Sequence, residues 1–300
     1  MKNTGIITMR RDLIQKNIDL KQFTTFKIGG KAEYYSAPKD IEEVKYSLNF
    51  AKDKGLEVII IGGGSNLLIS DDGVEGAVIH TAALNKSKID GAILTVESGL
   101  TVKSLNDLAL SRSLSGLEFS GGLPGSIGGA CYMNARSYNG EFADVVKEAT
   151  VVDEFGTASV VDKTFLNYSY KYSALMDLNY FIYDVKLELK KGDPSVIKEI
   201  YLKNFNDRKS KGQFDYPSAG CVFKNNYQIG VSSGKIIEEA GLKGRVVGGA
   251  KVSEKHANFL INNGDAKAAD VMKLIKFIED EVLEKKGVKL ERELRIIGFE

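Results

Sequence analysis

The sequence predicts an α+β protein built from more than one compact unit, and three observations lead to this fold class. The chain has 300 residues, of which 43% are hydrophobic, and single cores commonly stop growing near about 250 to 300 residues. Segments with strand character are mixed with helices of amphipathic spacing. A strongly amphipathic helix and a further strand follow near the carboxyl terminus. We therefore expect three parts, at residues 1–80, 81–193 and 194–300.

A small β-α-β unit is predicted in the first part. Strand-like segments at residues 33–37 and 57–61 flank a helix that Asp40 can cap, with Glu43 three residues later. Apolar residues recur in this helix at the helical spacing, and Gly55 is expected to end it.

The second part is predicted to be an α+β lobe. It contains a strand at 93–97, a helix at 102–114, and strands at 150–152 and 181–189 after a glycine-rich stretch.

The third part begins with a helix in which Asp193 and Pro194 suit the N-cap and the first position. Further on, a second helix is amphipathic, and Gly287 is expected to end it before a terminal strand at 288–297. The predicted apolar face of this second helix comprises Val271, Leu274, Ile275, Ile278 and Val282.

Charge and cysteine content exclude several classes of function. The 41 basic and 40 acidic residues leave a net charge of +1, and no basic tract is present to bind a phosphate backbone, so a nucleic acid partner is not expected. Cys131 and Cys221 are too few for a disulfide framework, and His80 and His256 are too far apart for a local zinc site. We expect a reducing compartment and no metal.

No targeting or membrane segment is predicted. Charged residues interrupt the apolar stretch within residues 1–17, so it lacks the apolar region of a signal peptide. No apolar run approaches the roughly 18 residues that span a bilayer. The expectation is a soluble, cytoplasmic protein without a membrane partner.

Two glycine-rich stretches are the main candidates for binding. GGGSN, at residues 62–66, directly follows an apolar strand, where bare backbone amides can approach phosphate oxygens. A turn between strands is the alternative for this stretch alone, and it is not followed by a helix as in a Rossmann fingerprint. The second stretch, at residues 116–141, lies about sixty residues further on. Together, two such loops favour a dinucleotide held along its pyrophosphate.

At this point several separated motifs, in order along nearly the whole chain, resemble those of the UDP-N-acetylenolpyruvoylglucosamine reductases, the MurB family. They are FTTFKIGG (23–30), IIIGGGSNLL (59–68), GLEFSGGLPGSIGGACYMNA (116–135), YKYS (170–173), PSAGCVFKN (217–225), GLKG (241–244), VSEKHANFLIN (252–262) and LERELRIIG (290–298). The spacing between YKYS and PSAGCVFKN suggests the shorter, type II-like subtype.

The resemblance implies a two-lobed FAD-binding fold of the vanillyl-alcohol-oxidase (PCMH) type, with an α+β substrate domain at the carboxyl terminus. It implies FAD and NADPH as cofactors, and reduction of an enolpyruvyl UDP-sugar in peptidoglycan precursor synthesis. It also assigns FAD binding to Gly62, Gly63, Gly64, Ser65, Asn66, Gly122, Pro124, Gly125, Ser126, Gly128, Gly129, Asn134 and Ala135.

Glu293 and Arg295 match the catalytic glutamate of the family and its companion arginine. On a strand, period-two alternation would place both on one face, roughly 7 Å apart. A solvent-facing ion pair is the alternative for an isolated E-x-R. The reaction leaves negative charge on a carbon next to a carboxylate, so cations and an acid are required.

Two further catalytic residues depart from the family pattern. Cys221 stands where the family has a serine that protonates the substrate carbon, and a thiol can still deliver a proton. Lys171 replaces an arginine, keeping the charge but losing the planar fork. Without the resemblance, a buried apolar cysteine and a surface lysine would be the ordinary interpretations.

Lys211 and Asn225 align with positions of the family that contact the substrate pyrophosphate, and both suit a diphosphate by charge and hydrogen bonding. Arg136 replaces a glycine, and contact with the flavin phosphates and contact with the substrate both stay open. His256 is either structural or catalytic. No oligomer is predicted, and a monomer is expected.

Two other functions remain as alternatives. One is another FAD oxidase of the same fold, in which oxygen reoxidises the flavin. The other is a non-catalytic binder of UDP-sugar and FAD, which the departures at Arg136, Lys171 and Cys221 suggest. Retention of Glu293 and Arg295 argues for the enzyme.

Overall fold

A computed structural model describes residues 12–299 of the chain. The interpretation of residues 1–11 as lacking a signal peptide therefore lies outside the described residues, as does the start of the predicted lobe at 1–80. Within residues 12–299, no helix is both long and apolar enough to cross a membrane.

The structure contains both helices and strands, as an α+β fold requires. The helices are α1 (Ile41–Asp53), α2 (Val102–Ser111), α3 (Ile127–Tyr132), α4 (Lys163–Leu166), α5 (Pro194–Ser210), α6 (Ser233–Glu239) and α7 (Ala268–Lys286). The strands are β1 (Gln15–Asp19), β2 (Lys31–Ser36), β3 (Val58–Ile61), β4 (Leu67–Ile69), β5 (Val74–His80), β6 (Ser87–Asp90), β7 (Ile93–Glu97), β8 (Leu114–Ser115), β9 (Arg136–Ser137), β10 (Gly140–Glu141), β11 (Val146–Val152), β12 (Ala158–Asp162), β13 (Phe181–Glu188), β14 (Lys190–Lys191), β15 (Ser218–Cys221), β16 (Val246–Val247), β17 (Ala250–Val252), β18 (Phe259–Asn262) and β19 (Arg295–Ile297).

Contacts between Cα atoms group the described chain into two compact units. Unit 1 comprises Glu33–Gly63 and Glu75–Asn206, together with the described residues before Asp19. Unit 2 comprises Asp19–Ala32, Gly64–Val74 and the chain from Asp207 onward. The division into three domains at 1–80, 81–193 and 194–300 stays a prediction.

Unit 1 contains most of a four-stranded sheet of order β1-β2-β5-β3, in which β3 and β5 are parallel. Asp40 caps α1 by accepting a hydrogen bond from the Glu43 N–H at 2.8 Å, as predicted. A five-stranded sheet of order β12-β11-β13-β7-β6 follows, and α3 contacts β13. Leu105, Ile127 and Val185 are fully buried in the core of this region.

Unit 2 is built around an antiparallel sheet of order β15-β18-β17-β16. All five residues of the predicted apolar face of α7 are buried in its core. Gly287 follows the helix with a φ of 66°, as its predicted end requires. Asp71 accepts hydrogen bonds from the backbone N–H groups of Ala268 and Ala269, at 2.9 and 3.1 Å, and so anchors the start of α7.

Two predicted elements are wrong in extent. The helix predicted at 102–114 ends at Ser111, because Ser113 takes a φ of 53° and Leu114 begins β8. The terminal strand predicted at 288–297 is limited to β19, which pairs in parallel with β4. Before β19, Glu293 and Leu294 both donate their N–H groups to the Val222 carbonyl oxygen, at 2.8 and 3.2 Å.

Candidate functional site

The predicted site residues are distributed over both units. Unit 1 carries Gly62, Gly63, Gly122, Pro124, Gly125, Ser126, Gly128, Gly129, Asn134, Ala135 and Lys171. Unit 2 carries Gly64, Ser65, Asn66, Lys211, Cys221, Asn225, Glu293 and Arg295.

In unit 1 the two glycine-rich loops meet at Ser126. The Gly63 N–H donates a hydrogen bond to the Ser126 hydroxyl oxygen at 3.2 Å. A Cβ atom on Gly62 would lie 2.3 Å from that same oxygen, and one on Gly63 would lie 2.5 Å from the Gly125 Cα. Only glycine permits this approach. The structure therefore brings the two loops together within one unit, and their joint binding of a dinucleotide stays a prediction.

Ser126 holds this junction because it is also the N-cap of α3. Its side chain accepts from the Gly129 N–H at 3.4 Å, and the Gly128 N–H donates to the Ser98 carbonyl oxygen at 2.8 Å. Gly128 packs so closely on Ser98 that a Cβ atom would lie 2.6 Å from the Ser98 Cβ. The first turn of α3 is thereby tied to the end of β7.

The surface of the two loops fits a dinucleotide. Gly63, Pro124 and Gly129 are exposed, so backbone rather than bulky side chains faces outward there. Among the buried side chains of residues 12–299, the hydroxyl oxygens of Thr81 and Ser98 have no hydrogen-bond partner within the protein. A polar ligand on these loops would suit such groups, because unpaired buried hydroxyls are costly.

Asn134 has both ends of its side chain committed to the protein. It is fully buried, with its Nδ2 donating to the Ser169 carbonyl oxygen and its Oδ1 accepting from the Ala143 N–H, each at 2.9 Å. Ala135, beside it, is partly buried. Direct contacts of Asn134 and Ala135 with FAD stay predictions, and the observed side-chain bonds join the second loop to the segment that carries Lys171.

Lys171 lies in a tight turn closed by Ser169 and Tyr172, whose backbones exchange hydrogen bonds at 3.1 and 3.3 Å. Its φ of 57° is left-handed, which costs a non-glycine residue about 1 kcal/mol. The guanidinium carbon of Arg136 lies 5.2 Å from the centre of the Tyr170 ring, next to this turn.

In unit 2, three predicted site segments are joined through their backbones. The Asn66 Nδ2 donates to the Glu293 carbonyl oxygen at 3.1 Å, and the Arg295 N–H donates to the Asn66 carbonyl oxygen at 3.1 Å. The Glu293 N–H bonds to Val222, the residue after Cys221. The Glu293 backbone therefore lies beside Asn66 and beside the residue that follows Cys221, although the sequence separates Cys221 and Glu293 by 72 positions.

A β-bulge at Gly220 sets the conformation before Cys221. The register of β15 against β18 shifts between Ser218 and Cys221, and Gly220 takes a φ of 77°. A Cβ atom on Gly220 would lie 4.0 Å from the Ser65 carbonyl oxygen, so the bulge also faces the end of the first glycine loop. Cys221 is half-buried.

The residues predicted to contact the substrate diphosphate are more loosely connected. The Lys211 ammonium lies 2.6 Å from the Asp207 carboxylate and is exposed. The Asn225 Oδ1 accepts from the Ser233 N–H at 2.9 Å, at the start of α6.

Burial, and next the charge of Lys211, lowers the pKa of His256, whose Nδ1 has no hydrogen-bond partner in the described chain.

Two models of known families match most of the chain. The model described as "FAD binding domain" matches residues 32–162. The model described as "UDP-N-acetylenolpyruvoylglucosamine reductase, C-terminal domain" matches residues 212–297. The first match contains the junction of the two glycine-rich loops, and the second contains Cys221 and Glu293.

Similar proteins of full length support the same assignment. A UDP-N-acetylenolpyruvoylglucosamine reductase of Clostridium novyi is 40% identical over 97% of this chain and 94% of its own. One of Caldicellulosiruptor bescii is 42% identical over 99% of this chain and 93% of its own.

Solved structures support the fold. The crystal structure of the reductase from Thermus caldophilus matches with a TM-score of 0.81 at 33% identity, over 94% of this chain and 98% of its own. A Phl p 4 variant described as a glucose oxidase matches with a TM-score of 0.51 at 15% identity, over 63% of this chain and 44% of its own, which indicates likeness of fold alone.

The loops that meet at Ser126, within a matched FAD-binding domain, define this chain as an FAD-binding flavoprotein. The predicted α+β fold class with an FAD-binding domain is confirmed. The chain belongs to the UDP-N-acetylenolpyruvoylglucosamine reductase family, as its motifs predicted.

Proposed function

We propose that this protein uses NADPH and bound FAD to reduce UDP-N-acetyl-3-O-(1-carboxyvinyl)-glucosamine to UDP-N-acetylmuramate. In this reaction one hydride and one proton add across the carbon–carbon double bond of the enolpyruvyl ether, and NADPH is oxidised to NADP+. Family membership supports the proposal. The observation that carries it is the hydrogen bond from the Glu293 backbone N–H to the Val222 carbonyl oxygen, because it brings the Glu293 backbone beside the residue that follows Cys221.

FAD, when bound, supplies the hydride-transfer chemistry that no side chain can perform. The residues that would hold it are those of the two loops that meet at Ser126, together with Ser65 and Asn66. Their backbone N–H groups can bind phosphate oxygens at close range.

Cys221 would donate the proton to the substrate carbon next to the carboxylate, which carries the negative charge once the neighbouring methylene carbon has gained the hydride. A thiol is suited to this step because it is a stronger acid than an alcohol. Glu293 would lie beside the reacting carbon and assist the proton transfer. Arg295 would bind the substrate and stabilise its developing negative charge.

Lys171 would contribute a further positive charge to the substrate carboxylate, as a point charge without the two-pronged geometry of arginine. Lys211 and Asn225 would bind the diphosphate of the UDP group. Lys211 would exchange its ion pair with Asp207 for the phosphate oxygens on binding, a small cost for a pair that is exposed.

The wider role follows from this reaction. The product is a peptidoglycan precursor, so the protein would act in cell wall biogenesis, and through it in cell shape, the cell cycle and cell division. It would work in the cytoplasm as a monomer on a small-molecule UDP-sugar, without a nucleic acid or membrane partner.

The test is product formation by purified protein. Incubation with NADPH and the enolpyruvyl UDP-sugar should consume NADPH in equal amount to the product, whose mass exceeds that of the substrate by two hydrogen atoms. Glu293→Gln should abolish turnover and still bind FAD. Calorimetric binding of the UDP-sugar without NADPH consumption would instead identify a non-catalytic binder, and NADPH consumption that depends on oxygen alone would identify an oxidase.

A further inference from the structure

A buried pair of aromatic side chains lies behind the first glycine-rich loop in unit 1. Tyr35 of β2 and His80 of β5 are 6% and 8% exposed, and the Tyr35 hydroxyl lies 2.8 Å from the His80 Nδ1. β2 and β5 are neighbours in the sheet, and His80 is paired with Ile61, the last residue of β3. His80 is therefore paired with the residue that directly precedes GGGSN.

The His80 ring also forms a hydrogen bond with the backbone of Gly62. This bond favours the protonated ring, so it is a ring N–H that donates to the Gly62 carbonyl oxygen. Burial is the larger influence and lowers the pKa of His80, so the ring is neutral at pH 7. A neutral imidazole has one donor and one acceptor.

A neutral ring that donates to Gly62 keeps its other nitrogen as an acceptor, so we assign Nδ1, which lies 2.8 Å from the Tyr35 hydroxyl, as the acceptor of that second bond. Burial raises the pKa of Tyr35 to about 12, so its hydroxyl keeps the proton that it donates. Tyr35, His80 and Gly62 form one directed chain of hydrogen bonds.

The series of hydrogen bonds continues into the second glycine-rich loop. Gly63, next to Gly62, donates its N–H to the Ser126 hydroxyl oxygen at 3.2 Å. The two loops are in close contact there, since a Cβ atom on Gly63 would lie 2.5 Å from the Gly125 Cα. A shift of the Gly62 carbonyl would therefore move the junction at Ser126.

We propose that Tyr35 and His80 are positioning residues for FAD, which hold the Gly62 carbonyl and through it the junction of the two loops. This inference rests on the proposed binding of FAD by these loops. Neither side chain needs to touch FAD. Their effect would be to hold in advance a backbone that FAD would otherwise have to order on binding.

The test measures FAD affinity by fluorescence titration, and thermal unfolding, of the apoprotein of four single variants and one double variant. Tyr35→Phe removes the donor to His80, His80→Phe removes both bonds, and His80→Gln keeps an N–H for Gly62. Tyr34→Phe is the matched control, because Tyr34 is adjacent on β2 and its ring packs on Phe50 at 5.2 Å.

We expect the dissociation constant for FAD to rise about 3- to 10-fold in Tyr35→Phe and about 10- to 100-fold in His80→Phe. His80→Gln should recover most of the affinity lost in His80→Phe, and Tyr34→Phe should match the wild type. Adding Tyr35→Phe to His80→Phe should cause no further loss, because the hydroxyl has already lost its acceptor.

Unchanged FAD affinity in folded His80→Phe would overturn the inference. So would a loss of affinity that follows the unfolding temperature in all variants without recovery in His80→Gln, since that pattern indicates general destabilisation. If His80→Phe does not fold, unchanged FAD affinity in folded Tyr35→Phe would overturn the inference. Failure of the wild type to bind FAD would instead overturn the proposed function, and this inference with it.

Discussion

The backbone N–H of Glu293 donates a hydrogen bond of 2.8 Å to the carbonyl oxygen of Val222. This bond connects the LEREL segment to the residue that follows Cys221. Asn66 adds a second connection, because its side chain donates to the Glu293 carbonyl oxygen. These two hydrogen bonds connect the backbone of Glu293 to the residue after Cys221 and to the end of the first glycine loop, all within one unit.

Cys221 is predicted to act in protonation and not in flavin reduction. Cys221→Ala should lower kcat by about 10²- to 10⁴-fold, the usual contribution of a general acid, while flavin reduction by NADPH keeps its rate. Cys221→Ser should retain turnover, since serine is the residue of the family motif. Cys131→Ala is the control for loss of a thiol, because Cys131 is fully buried in the core of unit 1. Equal turnover in Cys221→Ala and wild type would remove Cys221 from the mechanism.

Alanine substitutions at Gly129 and Gly63 should separate an effect on the stability of unit 1 from an effect on FAD binding. A Cβ atom on Gly129 would lie 3.5 Å from the Ser126 oxygen, an ordinary contact, and alanine favours a helix by up to about 1 kcal/mol over glycine. Gly129→Ala should therefore keep the unfolding temperature and weaken FAD binding by about tenfold through its exposed methyl group.

Gly63→Ala should lower the unfolding temperature as well, because its Cβ atom would meet the Gly125 backbone at 2.5 Å. Thermal unfolding of apoprotein and FAD titration would measure the two effects. FAD affinity that is unchanged in Gly129→Ala would count against binding on this face of the loops.

The backbone strain at Lys171 is predicted to lower stability, whereas the positive charge of its side chain is predicted to aid catalysis. Lys171→Gly should leave the free energy of unfolding equal or raise it by up to about 1 kcal/mol, because glycine adopts a positive φ without the penalty of a side chain. The same change should lower kcat/KM for the UDP-sugar by about tenfold or more, because a cation is lost. Lys171→Arg should keep or raise kcat/KM.

Lys27→Gly is the matched control, since Lys27 also has a φ of 57° and is not among the predicted site residues. It should change stability in the same direction and leave kcat/KM alone. Steady-state kinetics with denaturant unfolding would measure both quantities. A fall in kcat/KM of equal size in both variants would show that the charge of Lys171 has no special role.

His80 and His256 are predicted to make the protein less stable in mild acid. Burial is the first cause that lowers the pKa of each ring below its ordinary value of 6.5, and for His256 the charges of Lys211, Lys243 and Arg208 add to it. The unfolded state therefore binds the proton more tightly than the folded state. The stability from the neutral rings is complete above pH 6.5 and is lost as the pH falls through the folded pKa values.

Unfolding temperatures between pH 7.5 and pH 5 would measure this loss. A double variant with His80→Gln and His256→Gln should lose less stability over the same range than the wild type, because neither position can then take up a proton. Parallel pH profiles of the two proteins would contradict the assignment of the neutral rings.

Sequence reasoning succeeded where the determinants are local. The strand at Ile93–Glu97 and the apolar face of α7 were predicted from the spacing of apolar residues alone. The glycine-rich loops were singled out from their residue types as places where backbone can come close to a phosphate, and the structure shows Gly62 and Gly63 in close approach to the second loop.

It failed where distant hydrogen bonds decide the structure. Residues 288–294 have the alternation of a strand, but Glu293 and Leu294 bond to Val222 and not to a continuous ladder. Likewise, Tyr35 and His80 are separated by 45 positions, and no local pattern indicates their hydrogen bond. The prediction that Glu293 and Arg295 share a strand face is wrong, because only Arg295 lies in a strand, and their reach to one substrate stays a prediction.

The central claim is that one chain carries a flavin, accepts hydride from NADPH and passes it to an enolpyruvyl UDP-sugar. Stopped-flow absorbance of the purified, FAD-loaded protein without oxygen tests it most directly. We expect the flavin colour to be lost when NADPH is added and to return when the enolpyruvyl UDP-sugar follows. A folded protein that takes up no FAD, or a reduced flavin that stays reduced until oxygen is admitted, would contradict it.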